Sequence, residues 1–156
     1  MVRCVYDMIR TRVVLYTTEL QKGDHISRPT DTASGYYDHH AIVVRRAHGS
    51  VFRIIHVTDG GNGSAKKVSS CKSASTVVRE EDEDFGKYIN TGRLILYQYR
   101  PGECYEPDTV IIRARGRVGA FSYHLLKNNC EHFARWCKTG LNESYQTQKA
   151  TAKISA

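Results

Sequence analysis

Cys130 stands in the run Asn128-Asn129-Cys130-Glu131-His132-Phe133-Ala134-Arg135-Trp136-Cys137, a setting that suits a nucleophilic thiol. Asn is among the best helix N-cap residues, because its side-chain oxygen accepts from a backbone N–H that has no partner within the helix. The spacing from Asn128 to Glu131 predicts a capping box and a helix over 130–138, ended by Gly140. Cys130 then falls in the first turn. There the helix dipole favours a thiolate and lowers a thiol pKa from about 8.5 toward neutrality. First-turn N–H groups also point outward, where they can hold an oxyanion. Phe133, Ala134 and Cys137 follow three, four and seven residues on, so the thiol heads the apolar stripe and faces whatever the helix packs against. A plain core cysteine is the competing reading for any buried thiol, and it is the one that suits Cys137.

A thiol nucleophile needs a base within hydrogen-bond reach and a group that orients the base. Seven histidines are available. His132 lies two residues after Cys130 and so projects about 200° away from it around the helix; packing or hydrogen bonding at the helix N-terminus suits it better. His39 and His40 lie in a Tyr-, Val- and Ile-rich run at 36–44 that reads as a strand, and His56 lies in the next one, at 51–58. Period-2 alternation groups His39 with Tyr37, Ala41 and Val43, and His40 with Ile42 and Val44. Only one of the pair can face the cysteine helix, and alternation does not say which. Across a hairpin, His56 can sit beside either and orient it. His25, His48 and His124 read as ordinary strand or surface residues. Cys130-x-His132 lacks the two-to-four-residue gap of a zinc ligand pair, and there is no Cys-x-x-Cys, so neither a structural zinc nor any cofactor is expected.

The elements that must position these residues come in two halves. Strands are predicted at 13–16, 24–27, 36–44, 51–58, 76–79 and 93–99. Pro29 is expected to stop the second of them, Arg45 to Ser50 forms a polar loop, and the acidic run Glu80 to Asp84 reads as another loop. Residues 59–64 are a Gly-rich loop and 66–75 a polar stretch. Helices follow: one from Pro107, continuing to Arg117 with Gly119 as C-cap, then the cysteine helix. Strands first and helices second argue for an α+β fold with an antiparallel sheet. The chain's 156 residues suit one domain, bracketed by an N-terminal extension at 1–19, which includes a strand, and a polar, frayed tail at 141–156.

The net charge is +7, with basic residues scattered rather than clustered, which excludes a nucleic-acid footprint and leaves acidic lipid surfaces as the anionic partner to consider. Five cysteines, an odd number, and charged residues near the start argue for a reduced, cytoplasmic setting without a signal peptide. No apolar run approaches the roughly 20 residues of a membrane span. Oligomeric state is not encoded in any feature of the sequence.

The motifs, taken together, resemble one family. Asn-Cys-Glu-His-Phe at 129–133, preceded by Tyr123-His-Leu-Leu-Lys127, resembles the cysteine motif of the lecithin:retinol acyltransferase family. Gly23-Asp24-His25-Ile26, Tyr37-Asp38-His39-His40-Ala41-Ile42 and Arg53-Ile-Ile-His56-Val resemble its strands, in the family's order, over about residues 20–140. His40 stands where the family's strand carries an aromatic residue. The resemblance implies a circularly permuted, NlpC-like papain fold in which histidines precede the cysteine. It further implies a thiol-dependent acyltransferase or phospholipase that takes acyl chains from phospholipids through a thioester. Residue by residue, Cys130 matches the nucleophile, His39 the base and His56 the orienting position. Tyr37 matches a tyrosine that helps hold the oxyanion, together with the Cys130 backbone. With His39 as base, its ring nitrogen is expected within about 4 Å of the Cys130 sulfur. A non-catalytic regulatory or scaffold domain of the same fold, and a cysteine peptidase, are the alternative readings. For the enzyme, the resemblance and the charge together imply a cytoplasmic protein that meets phospholipid at an acidic membrane surface peripherally.

Overall fold

A computed structural model describes residues 9–30, 37–59, 76–120 and 129–142. The Gly-rich stretch from residue 60, the polar stretch that follows it, His124 and the tail from residue 143 lie outside them. The elements are β1 (Ile9–Val13), β2 (His25–Thr30), β3 (Tyr37–His48), β4 (Val51–Asp59), β5 (Thr76–Asp84), α1 (Gly86–Asn90), β6 (Ile95–Tyr99), α2 (Pro107–Arg115), β7 (Gly119–Ala120) and α3 (Cys130–Thr139). The fold is α+β. Its strands form one sheet in the order β1-β6-β2-β3-β4-β5-β7, with every pairing antiparallel.

Alternation along β3 and β4 divides the interior. Ala41, Val43, Phe52 and Ile54 pack with Ile26, Phe85, Tyr88, Leu94 and Leu96 on one side of the sheet. Ile42, Val44, Ile55 and Val57 pack on the other, beneath Val110, Ile111 and Ala114 of α2 and Cys130, Phe133, Ala134 and Cys137 of α3. The stripe expected from the spacing of the cysteine helix is therefore the face that α3 lays on the sheet.

Several boundaries differ from those read in the sequence, each for a physical reason. The first strand is Ile9–Val13, not 13–16; it pairs with β6 from Ile9↔Tyr99 to Val13↔Ile95. β2 runs through Pro29 to Thr30. It pairs with β6 only over His25–Ser27, so Pro29 lies where one side of the strand has no neighbour and its missing N–H breaks no ladder. β3 continues to His48, with irregular register after Val43 and again after Arg46, and turns into β4 through Gly49, whose φ of 51° is left-handed. The acidic run is not a loop. It completes β5, pairing with β4 up to Val51↔Asp84, and cations offset its charges: Arg53 of β4 pairs with Asp82 at 3.2 Å, Arg28 of β2 with Glu83, and Arg115 of α2 with Glu80 at 2.9 Å. α2 ends at Gly116 rather than Gly119, which lies in β7. α1 and β7 are too short for periodicity to reveal.

Candidate active site

α3 begins at a cap that joins side chain and backbone in both directions. The N-cap is Asn129, one residue later than the spacing suggested. Its side-chain oxygen accepts from the N–H groups of Glu131 (3.0 Å) and His132 (3.1 Å), and its own N–H donates to His132 Nδ1 at 3.1 Å. His132 thus takes the reciprocal role in the box that Glu131 was expected to fill. Glu131 is instead buried against Arg135, 3.1 Å away one turn on. Gly140, at φ 78°, ends the helix.

The cap sets Cys130 at the head of α3, only 2% exposed. Its sulfur meets the start of β3. The Tyr37 hydroxyl lies 3.0 Å from Sγ, and the thiol reaches the carbonyl of Asp38 at 3.5 Å. Tyr37 packs on the core beneath α3, although Ala41 and Val43, with which alternation groups it and His39, lie on the other side of the sheet; Ile42 and Val44, of His40's parity, lie beneath α3.

His39 follows immediately. Its Nε2 lies 2.7 Å from Nδ1 of His56, and the two rings meet edge to face with centroids 5.0 Å apart. The ladder explains the contact: His56 pairs with Ala41, which places it diagonally beside His39 on the same face. His56 Nε2 lies 2.6 Å from the Glu81 carboxylate on β5. The other nitrogen of His39, Nδ1, is buried and has no hydrogen-bond partner. No hydrogen bond joins His39 to Cys130, and thiol and imidazole belong to separate bonded groups. Catalytic hydrogen bonds are often long before substrate binds. Burial, then the proximity of His56 and Arg28, hold His39 well below the ordinary histidine pKa, so at neutral pH it carries a lone pair and no charge.

His40 belongs to a different network. Its Nδ1 lies 2.7 Å from Nε2 of His25, whose Nδ1 lies 2.8 Å from the Tyr99 hydroxyl. His25 stacks on Tyr97, with centroids 4.1 Å apart and planes at 11°, and the Tyr97 hydroxyl reaches Ser27 at 3.0 Å. Read as an ordinary strand residue, His25 is in fact fully buried. Burial pushes the His40 pKa down to about 4, with the Glu131 carboxylate opposing the fall. Burial also raises the Asp38 carboxyl, with the charge of Glu131 adding to the effect, and raises the Cys137 thiol to about 12, which suits a core cysteine.

The structure brings Tyr37 to Cys130 and His56 to His39, as two separate contacts. It adds one residue that sequence reasoning did not single out: Glu81 was read within an acidic loop, and no pattern in a run of five acids marks which of them meets an imidazole. Among the described residues no helix is long and apolar enough to cross a membrane.

A family model described as Lecithin retinol acyltransferase matches residues 18–143. The match covers most of the chain, and the chain belongs to that family. Membership points to activity of acyltransferase or phospholipase type in general. No curated protein matches the chain.

The buried histidines make stability depend on pH. His25 and His39 are pushed well below their ordinary value, and His40 to about 4. A histidine whose pKa is lower in the folded than in the unfolded chain binds fewer protons when folded. Its contribution is complete above the unfolded value of about 6.5 and is lost as pH falls toward the folded one. The carboxylates held below their ordinary range, Glu80 and Glu81 among them, titrate at lower pH. The midpoint of urea unfolding should therefore hold steady from pH 8 to 7 and fall steadily from 6.5 to 5. A flat profile across that interval would contradict the burial of three neutral imidazoles.

Proposed function

We propose that the chain carries acyl groups from phospholipid on Cys130 as a thioester and passes them to water or to a second acceptor. In this reading His39 is the base, His56 orients it, and the Tyr37 hydroxyl and the Cys130 backbone N–H hold the oxyanion. The order of the chain supports a circularly permuted papain-like arrangement, since the histidine strands precede the cysteine helix that packs on them. One observation carries the choice of base: His39 has a buried nitrogen with no partner, on the strand whose two preceding residues touch the thiol, whereas His40 is tied to His25.

The reaction follows from these positions. His39 takes the thiol proton as Sγ attacks the ester carbonyl carbon. A C–S bond forms, and the carbonyl electrons move to oxygen, where Tyr37 donates to the oxyanion. Collapse breaks the ester C–O bond, and the departing lysophospholipid oxygen receives the proton from His39. Water or an acceptor amine or hydroxyl then attacks the thioester, losing its own proton to His39. The second collapse releases the acyl product and returns the proton to sulfur. Burial of the thiol limits the access of bulk water, so the lipid must reach a sulfur on a residue that is almost wholly covered.

Release of fatty acid from a short-chain phosphatidylcholine tests this directly. Cys130→Ala should abolish release. His39→Ala should lower kcat by roughly 10²- to 10⁴-fold, the contribution of a positioned base. His56→Ala should lower it less, because the base survives without its orienting partner. Full activity in Cys130→Ala would overturn the reading, and a folded wild-type protein that neither hydrolyses nor transfers acyl chains would favour the regulatory alternative.

The net charge of +7 supports weak attachment to acidic lipid surfaces. Co-sedimentation with phosphatidylserine-containing vesicles should be measurable in 0.05 M salt and lost in 1 M, where the Debye length is only about 3 Å. Absence of binding at low salt would argue for an acyl donor taken up from solution.

A further inference from the structure

The contact between Glu81 and His56 determines where the protons sit on both imidazoles. We propose that Glu81 is a positioning residue that fixes His56 with its proton on Nε2 and His39 with its proton on Nε2, leaving the lone pair of His39 on Nδ1. The inference rests on the reading of His39 as base and adds a fourth member behind it.

An ionised carboxylate only accepts hydrogen bonds, and a neutral imidazole has one N–H and one lone pair. The Glu81 carboxyl is held below the ordinary range, chiefly by its hydrogen bond with His56, so it is ionised at neutral pH. His56 Nε2, 2.6 Å from Glu81 Oε1, must then be the donor. With His56 neutral, its Nδ1 is an acceptor. His39 Nε2, 2.7 Å from that nitrogen, must therefore carry the proton of its own ring. The nitrogen left with the lone pair is Nδ1, the one that is buried without a partner. A doubly protonated His56 would reverse the second bond and place the His39 proton on Nδ1, an N–H buried with no acceptor, which is a costly arrangement.

The chain of bonds runs across three strands. Glu81 on β5 lies opposite Ile54, two pairs along from His56 opposite Arg79 and so on the same face, and His56 reaches diagonally to His39 on β3. When His39 Nδ1 takes the thiol proton, the new imidazolium keeps its Nε2–H on His56, and the carboxylate stands at the far end to favour the positive charge. No proton need pass to Glu81.

Nitrogen-15 NMR of the histidine rings in the full chain reads the tautomers without any turnover, with His39 and His56 assigned by substitution. In the wild type, His39 should show a protonated Nε2 and a bare Nδ1. Glu81→Ala should release both rings to a mixture of tautomers and lower kcat about 10- to 100-fold with KM little changed, less than loss of a positioned base itself. Glu81→Gln, whose amide oxygen still accepts, should restore the His39 tautomer and most of kcat. A protonated Nδ1 on His39 in the wild type would overturn the proposal. So would a Glu81→Ala variant with the wild-type tautomer and kcat. Should the wild type prove unable to transfer or hydrolyse acyl chains, the loss would fall on the proposed reaction, while the ring nitrogens would still decide the role of Glu81.

Discussion

A helix that begins inside a protein presents backbone N–H groups to surroundings without water, and each one left unpaired costs about 1–3 kcal/mol. Asn129 meets that constraint at the head of α3. One side-chain oxygen accepts from two N–H groups, and the imidazole of His132 accepts the N–H of Asn129 itself. Because the cap is made from within the helix, the turn can be buried against β3 with Cys130 at its start. Phe133, Ala134 and Cys137 then lie on the apolar core over Ile42, Val44 and Ile55, which sets the rotation of the helix. The thiol is brought to Tyr37 and Asp38 as a consequence of that rotation. Neither residue is near it in sequence.

Two buried histidine pairs flank this point, and they are built differently. His39 and His56 belong to a row that ends on a carboxylate at one side and on an unpartnered nitrogen at the other. His40 and His25 belong to a row that ends on the Tyr99 hydroxyl and is stacked on Tyr97. A carboxylate at the end of a row fixes the proton order along it, whereas a hydroxyl can donate or accept and fixes nothing. The two rows differ at one end, a carboxylate beside His56 and a hydroxyl beside His25. Adjacent residues of one strand face opposite sides, so His39 and His40 belong to different rows.

Much of this was legible in the sequence where local rules and tertiary structure agree. The stripe Cys130, Phe133, Ala134, Cys137 and the stop at Gly140 gave α3, and alternation gave the two faces of β3 and β4. What was not legible depended on residues far apart in the chain. Glu80 to Asp84 read as a loop because runs of charge are usually solvated; the sequence does not show that β4 pairs with it or that Arg53, Arg28 and Arg115 offset its charge. Pro29 read as a stop because the sequence does not show that β6 leaves β2 at Ser27. The cap was placed one residue early because Asn128 and Asn129 are chemically alike and Glu131 stood at a box spacing. Its carboxylate is instead spent on Arg135 in the interior. Alternation puts His40, with Ile42 and Val44, on the parity that lies beneath α3, so the proposal of His39 as base rests on its unpartnered nitrogen and on the family resemblance rather than on strand face.

The proposed reaction requires a covalent acyl group at one sulfur. The described residues include three cysteines, Cys104, Cys130 and Cys137, and chemistry is proposed for only one of them. The most direct measurement is the intact mass of the protein, quenched in acid during turnover of a short-chain phosphatidylcholine, followed by peptide mapping of the adduct. The account predicts a gain of one acyl group, located on the peptide that contains Cys130, removed by hydroxylamine and absent from Cys130→Ala. An acyl group on Cys104 or Cys137, or fatty acid release that persists in Cys130→Ala, would contradict it.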